Sequence, residues 1–148
     1  MHNKLPEIHA LFFDIDGTIL FNGEIPDENA DALLQAKSRG HKLFINTGRS
    51  RGILPQSILS LPVWTGFCCG GAYAEIDGTI VENKTMRFSV FKNILDYCEA
   101  HGCGCAVESV EGFHTFCTDR WKTPNMTKKE LIDLFPRYKL QRLLLTGC

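Results

Sequence analysis

Two short apolar segments, each ending in a cluster of small polar residues, constrain the fold of this chain more than any other feature. Residues 8–13 run into Asp14-Ile15-Asp16-Gly17, and residues 41–46 run into Thr47-Gly48. A helical pattern between Pro26 and Gly40 separates the two segments. Short apolar runs bounded by turn residues are typical of buried strands in a parallel sheet. The order strand, helix, strand therefore predicts an α/β fold with both polar clusters at neighbouring strand ends.

The remaining pattern predicts two regions, residues 1–83 and residues 84–148. Asp77-Gly78 predicts a hairpin turn near the end of the first region. The second region alternates helices with short strands and lacks comparable polar clusters. The further predicted elements are a helix from Ser50 to Leu59 disturbed by Pro55, strands at 63–69, 72–76 and 79–82, a helix at 88–100, strands at 105–110 and 113–118, a helix capped by Thr127 and running to Phe135, and a strand at 140–145.

Composition excludes several classes of protein. The chain has 148 residues, 44% of them hydrophobic, which suits a soluble globular domain, and its net charge of -1 gives no case for nucleic acid or an anionic membrane. No apolar run is long enough to cross a bilayer, and the first residues lack a signal-peptide layout, so a cytoplasmic location is predicted. The seven cysteines are odd in number and form no Cys-x-x-Cys pair, which favours reduced thiols acting as small apolar residues.

The polar clusters have the chemistry needed to move a phosphoryl group. Asp14 and Asp16 are two residues apart and can face the same side as their strand ends. Two adjacent carboxylates repel each other, and a divalent cation offsets that repulsion. One oxygen can then attack phosphorus while the other carboxyl carries a proton to and from the leaving group.

The second cluster supplies groups that bind phosphate. The Thr47 hydroxyl and the backbone amides after it, including that of Gly48, can donate hydrogen bonds to a phosphate oxygen, and Arg49 adds a planar cation. Alone, Asp-x-Asp-Gly is often a turn or a fragment of a calcium loop, and Thr-Gly-Arg is weaker still. A calcium loop fails here because Ile19-Leu20-Phe21 occupies positions that need oxygen ligands.

Taken together, these segments resemble the haloacid dehalogenase superfamily. Phe12-Phe13-Asp14-Ile15-Asp16-Gly17-Thr18 is similar to its first motif, and Leu43-Phe44-Ile45-Asn46-Thr47-Gly48-Arg49 is similar to its second in the Cof-type branch, which carries a C2-type cap. Cys69-Gly70-Gly71-Ala72-Tyr73 resembles that branch's entry to the cap. The resemblance implies a Rossmann-like core over residues 1–83 and an α+β cap over residues 84–148, both incomplete.

The resemblance also implies roles for the motif residues. Asp14 would be the nucleophile of a phosphatase and a magnesium ligand, and Asp16 would be the general acid and base with its backbone carbonyl on Mg²⁺. Thr47, Gly48 and Arg49 would bind the phosphoryl group of a small phosphorylated substrate such as a sugar phosphate.

The chain departs from the family in two places. The branch usually has Asn-Gly where this chain has Gly70-Gly71. The third motif, a lysine, and the fourth, an acidic pair, have no counterpart: Lys122, Lys128, Lys129 and Lys139 follow no core-like strand, and Asp119 and Asp133 lie outside any such cluster. The sequence therefore predicts a chain truncated within the cap, weak or inactive by itself and prone to self-association through open sheet edges. An alternative hypothesis is an inactive protein that binds only a phosphate or a partner.

Other candidate residues have simpler interpretations. Asp77-Gly78-Thr79 repeats three letters of the first motif but is predicted to be a turn, and His9 is predicted to be a packed core histidine. The cluster His101, Cys103 and Cys105 is interpreted as a helix end with buried thiols. His114 and Trp121 are candidates for either substrate contact or cap packing.

Overall fold

The structure is a computed structural model that describes residues 7–120 and 123–146, and it contains two compact units. The first unit comprises the chain through Gly48 together with Leu54–Glu82. The second comprises Arg49–Ile53 together with the chain from Asn83 onward. The sequence pattern gives no indication that Arg49–Ile53 groups with the later residues. The assignment of residues 1–83 to a core and of residues 84–148 to a cap stays a prediction.

The first unit is built on a five-stranded sheet of order β1-β2-β3-β4-β5. Strands β1, β2 and β3 are parallel, and β4 is antiparallel to β3, so the predicted α/β fold with parallel strands is confirmed. Its elements are β1 (Ala10–Phe13), α1 (Asp27–Ser38), β2 (Lys42–Thr47), α2 (Gln56–Leu59), β3 (Trp64–Cys69), β4 (Tyr73–Ile76) and β5 (Thr79–Asn83).

Strand β2 lies between β1 and β3 and supplies much of the apolar centre of this unit. Leu43 and Ile45 are fully buried, and Thr47 continues the same alternation with 7% of its surface exposed. From the sequence, the helical spacing of Ala30, Leu33, Leu34 and Lys37 predicts that they share one face of α1. Leu33 is buried, whereas Leu34 is 43% exposed. The buried face of α1 is therefore narrower than its sequence pattern predicts.

The prediction that the first apolar segment is a buried strand is wrong in part. Strand β1 lies at the edge of the sheet, where Ile8 and Phe12 are 61% and 58% exposed. His9 is also exposed, so the predicted core histidine is wrong; its backbone N–H donates to Nδ1 of His41, and the two rings stack at 5.4 Å. The reason is positional, since an edge strand has a paired neighbour on only one side.

The predicted helix from Ser50 to Leu59 is instead broken at Pro55. Arg51–Ile53 forms one turn of 3-10 helix, and α2 begins only after Pro55. Proline lacks an N–H and disfavours helical geometry in the residue before it, so Leu54 cannot continue the first turn into the second.

The second unit has a three-stranded antiparallel sheet of order β7-β6-β8 packed against helices. Its elements are α3 (Phe88–His101), β6 (Gly104–Ser109), β7 (Phe113–Phe116), α4 (Lys128–Leu134) and β8 (Leu140–Thr146). Gly102 ends α3 in the left-handed conformation, with φ of 65°. The buried core contains Phe91, Leu95, Cys98, Cys103, Cys105, Val107, Phe116, Leu131 and Leu140.

None of the helices in the described residues is both long and apolar enough to cross a membrane.

Candidate active site

The two sequence motifs follow neighbouring parallel strands at the same end. Phe13, the last residue of β1, pairs with Ile45 of β2, so Asp14 comes one residue beyond the paired position and Thr47 two residues beyond it. Thr47 in turn pairs with Cys69, the last residue of β3. Ligands of open α/β sheets bind at the carboxyl ends of the strands. The sheet therefore brings Asp14 and Thr47 to the edge where a ligand would be expected.

A tight turn presents the two aspartates of the first motif. The carbonyl oxygen of Ile15 accepts hydrogen bonds from the amides of Ile19 at 3.0 Å and Leu20 at 2.9 Å, and Ile15 itself is fully buried. Asp14 and Asp16, on either side of Ile15, are exposed. Burial of Ile15 thus anchors the turn while leaving both carboxylates accessible.

Gly17 is required by the backbone of this turn. Its φ is 76°, and its N–H donates to the carbonyl of Leu20 at 3.0 Å. Residues with a Cβ rarely adopt this left-handed conformation. The glycine of the first motif therefore permits the sharp change in chain direction after Asp16.

Helix α1 also supports the turn, through a residue that the sequence pattern did not single out. The side-chain amide of Asn29 donates to the carbonyl of Ile19 at 3.3 Å and to that of Thr18 at 3.5 Å. The only sequence signal is a polar residue in the first turn of an amphipathic helix, which is common and carries little information. Asn29 fixes the segment directly after the first motif.

The second motif is divided between the two units. Thr47 and Gly48 belong to the first unit, and the Thr47 carbonyl accepts a hydrogen bond from Gly70 at 3.0 Å. Arg49 belongs to the second unit, where its guanidinium donates to the carbonyl of Ile53 at 3.5 Å. The boundary between the two units therefore falls inside the second motif, between Gly48 and Arg49.

The departure at Gly70-Gly71 has a conformational explanation. Both glycines have positive φ, 59° and 68°. Asparagine tolerates this conformation better than other residues with a side chain. The conformation at position 70 is therefore one that asparagine tolerates, and glycine there lacks the side-chain amide that asparagine would supply.

The donor set of the first motif fits magnesium in chemistry. Within residues 7–120 and 123–146, no group of three or more His, Cys, Asp and Glu side chains is placed to hold a metal ion. Asp14 and Asp16 nevertheless provide exposed carboxylate and carbonyl oxygens. Mg²⁺ is typically held by one or two carboxylates, with waters and substrate phosphate completing its shell. The two aspartates thus supply oxygen atoms of the kind that Mg²⁺ binds, and these atoms would form part of its shell.

The other candidates have structural explanations within their own units. Asp77 and Gly78, with φ of 47° and 76°, form the turn between β4 and β5, as predicted. His101 faces the carbonyl of Tyr97 at 2.9 Å. Cys103 and Cys105 lie in the core of the second unit, as predicted, where burial raises the pKa of the Cys105 thiol. The candidates Trp121 and Lys122 lie outside the described residues.

Lys128 and Lys129 are engaged in surface ion pairs on α4. Lys128 contacts Asp96 at 2.7 Å and also Glu99, and Lys129 contacts Asp133 at 2.6 Å. These ion pairs account for Lys128 and Lys129 as residues of exposed helix faces.

Comparison with known proteins identifies the family. A sequence model of the haloacid dehalogenase-like hydrolases matches residues 11–140, which is most of the chain. No curated protein matches the chain significantly.

Solved structures of related proteins share the fold. A sugar phosphatase of HAD subclass IIB is 23% identical with a TM-score of 0.75, covering 93% of this chain and 58% of its own. A phosphatase from Bacteroides thetaiotaomicron is 21% identical with a TM-score of 0.77, covering 93% and 55%. A HAD/COF-like hydrolase from Plasmodium vivax is 17% identical with a TM-score of 0.69, covering 95% and 57%.

The chain therefore spans little more than half the length of these structures, and identities this low establish a common fold only. The family match rests on the sequence itself and includes both motifs. The chain belongs to the haloacid dehalogenase-like hydrolases.

Proposed function

We propose that this chain carries the nucleophile and the phosphate-binding loop of a magnesium-dependent phosphatase. Its substrates would be small phosphorylated metabolites, with sugar phosphates as the first class to test. The observation that carries the proposal is the position of Asp14 and Thr47, each just beyond paired residues of two neighbouring parallel strands. The similarity in fold to a subclass IIB sugar phosphatase supports the choice of substrate class.

In the proposed reaction, a carboxylate oxygen of Asp14 attacks phosphorus and the bond from phosphorus to the ester oxygen breaks. Asp16 donates a proton to the departing alcohol. Water then attacks the aspartyl-phosphate, Asp16 takes a proton from that water, and inorganic phosphate leaves with the Asp14 carboxylate restored. The exposure of both aspartates is compatible with direct contact with substrate.

The remaining motif residues would neutralise and orient the phosphoryl group. The Thr47 hydroxyl and the Gly48 amide would donate hydrogen bonds to its oxygens, and Arg49 would supply a positive charge. Bound to Asp14 and to the backbone carbonyl of Asp16, Mg²⁺ would offset the negative charge that the carboxylates and phosphate bring together.

The domain assignment belongs to the same proposal. Residues 1–83 would form part of the catalytic core and residues 84–148 part of a cap that contributes to specificity. The cytoplasmic location and self-association through sheet edges stay predictions from the sequence. The competing hypothesis, a protein that binds phosphate or a partner without turnover, is not favoured by the family match.

Replacing the nucleophile tests the proposal. Asp14→Asn in the full gene product should lower Mg²⁺-dependent hydrolysis of p-nitrophenyl phosphate by about a thousandfold or more, because amide oxygen is a poor nucleophile. Asp77→Asn is the control, since it makes the same change at an exposed aspartate that, like Asp16, precedes a Gly-Thr pair but lies in a hairpin turn. Full activity in the Asp14 variant would refute the assigned nucleophile.

A further inference from the structure

A buried carboxylate holds the segment that directly follows the second motif. Glu108 is the next-to-last residue of β6 and has only 2% of its surface exposed, and one of its oxygens accepts the backbone N–H of Ser50 at 3.3 Å. Ser50 is itself fully buried. The two residues are 58 positions apart in sequence and belong to the same compact unit. A carboxylate is costly to bury, so its position against this segment needs a compensating interaction, which the amide provides.

Close packing at Gly52 is a second contact between the segment Arg49–Ile53 and the residues at the end of β6 and just after it. A Cβ at Gly52 would lie 2.6 Å from the carbonyl oxygen of Ser109, 2.8 Å from that of Val110 and 2.6 Å from the amide nitrogen of Gly112. All three neighbours are backbone atoms of the turn between β6 and β7, which cannot move aside as a flexible side chain can. The segment therefore meets the sheet of the second unit backbone to backbone, and only glycine fits at this position.

The Ser50 amide and Gly52 are the two points at which this segment is held. Along the chain, Arg49 directly precedes the first of them. The Arg49 guanidinium donates back to the carbonyl of Ile53, at the other end of the same short segment. Arg49 is thus tied to a segment that is itself held by β6 and by the turn after it. Its position depends on residues more than 50 places later in the chain.

The geometry points to Glu108 as a positioning residue for Arg49. By holding Arg49–Ile53 against β6 through the Ser50 amide, Glu108 would fix the arginine of the phosphate-binding loop to the second unit, while Thr47 and Gly48 stay with the first. The inference rests on the proposed function, because it assigns Arg49 to phosphate.

Two substitutions at Glu108 separate its hydrogen bond from its bulk. Glu108→Gln keeps an oxygen that can accept the Ser50 amide, whereas Glu108→Leu keeps similar volume and removes the acceptor. Thr115→Val is the matched control, since Thr115 is a fully buried polar residue of β7 whose hydroxyl donates to the carbonyls of Thr123 and Pro124. Gly52→Ala disrupts the same contact from the other side, in case Glu108→Leu fails to fold.

The first measurement is hydrogen exchange at the Ser50 amide, which requires no ligand. Exchange should accelerate at least about tenfold in Glu108→Leu and Gly52→Ala relative to Thr115→Val, and Glu108→Gln should stay near wild type. Equal exchange in Glu108→Leu and Thr115→Val would overturn the inference.

The second measurement is the affinity for inorganic phosphate in the presence of Mg²⁺. Glu108→Leu should weaken binding about tenfold in the wild-type background, because a misplaced guanidinium loses its charge-assisted hydrogen bonds, and Glu108→Gln should restore it. In an Arg49→Ala background the same substitution should cost less than about twofold, since its effect passes through Arg49. An equal loss in both backgrounds would overturn the positioning role.

The two proposals fail in different ways. Absence of phosphate binding by the wild-type protein, with a protected Ser50 amide, would refute the phosphate loop and with it the role given to Arg49. Phosphate binding that is insensitive to Glu108→Leu, with an exposed amide, would refute only the positioning role.

Discussion

His114 shows how burial controls charge at a single residue. Its ring packs edge-on against Tyr138 with centroids 4.9 Å apart, and its Nε2 is buried without a hydrogen-bond partner among the described residues. Burial lowers the pKa of His114, because the charged imidazolium loses solvation. The neutral ring is therefore the form that the folded second unit accommodates.

The pH dependence of stability follows from this shift. Above the ordinary histidine pKa of about 6.5, both the folded and the unfolded states are neutral and His114 has no effect. As pH falls below that value, the unfolded chain takes up a proton more readily than the folded one, so the second unit loses stability until the lower folded-state pKa is passed. His114→Phe should make the urea concentration at the unfolding midpoint depend less on pH between about pH 5 and 7.

The matched control for this prediction is His101→Gln, which removes an exposed histidine of the same unit. The attribution of this pH dependence to His114 would be contradicted if His114→Phe kept the wild-type dependence of the midpoint on pH. It would also be contradicted if His101→Gln lost that dependence.

The sequence predicts that Asp14 and Thr47 lie at the ends of neighbouring strands, but it does not predict the distant residues that contact the segments after them. Asp14 and Thr47 were predictable because strand ends and turn residues leave local patterns. Asn29 and Glu108 act on backbone groups 10 and 58 positions away, and no local pattern connects them. His9 was wrongly predicted as buried, because apolar neighbours do not show whether a strand lies in the middle of a sheet or at its edge.

Among the elements, α4 depends on its first turn. Thr127 accepts the Glu130 amide at 3.2 Å, and the Glu130 carboxylate accepts the Thr127 amide at 2.7 Å, forming the capping box that the sequence predicts. The helix is only seven residues long and would be unstable alone. The backbone N–H and the hydroxyl of Thr127 both donate to the Glu130 carboxylate and lower the pKa of Glu130, since they favour its ionised form.

Loss of the cap should therefore be measurable. Thr127→Ala should reduce the free energy of unfolding of the second unit by about 1 kcal/mol, because the Glu130 amide loses its acceptor. Thr127→Ser keeps the hydroxyl, and its free energy of unfolding should stay within a few tenths of a kcal/mol of the wild-type value. Chemical denaturation of the three proteins checks the prediction, and equal stability of the Ala and Ser variants would contradict it.

Most elements could be predicted, and the exceptions have local causes. The hairpin between β4 and β5 was predictable because Asp77-Gly78 matches the backbone that a tight turn needs. The segment from Ser50 to Leu59 was not, since one proline both ends a helix and permits a new one to begin, and the sequence alone does not settle which occurs.

At the scale of the whole molecule, the two units each bury their own cysteines. Cys69 is fully buried in the first unit, and Cys98, Cys103 and Cys105 are buried in the second. Cys117 is exposed, and Cys68 is intermediate. Thiols react as thiolates, and both burial and a raised pKa suppress that form.

Cysteine labelling should therefore report the opening of each unit separately. Among the cysteines that the structure describes, iodoacetamide should modify Cys117 first in the native protein and Cys105 at least about a hundredfold more slowly. With increasing urea, Cys105 should become reactive together with Cys98 and Cys103, and Cys69 should follow its own transition. Rapid native labelling of Cys105, measured by peptide mass spectrometry, would contradict the packing of the second unit.

The account rests most heavily on the chemistry assigned to Asp14. Reaction of the full gene product with a phosphate ester and Mg²⁺, followed by acid quenching and peptide mass spectrometry, locates any covalent phosphoryl group directly. We predict an acyl-phosphate on the peptide that contains Asp14, absent in Asp14→Asn and present in Asp77→Asn. Steady turnover with the phosphoryl group on another residue would contradict the account.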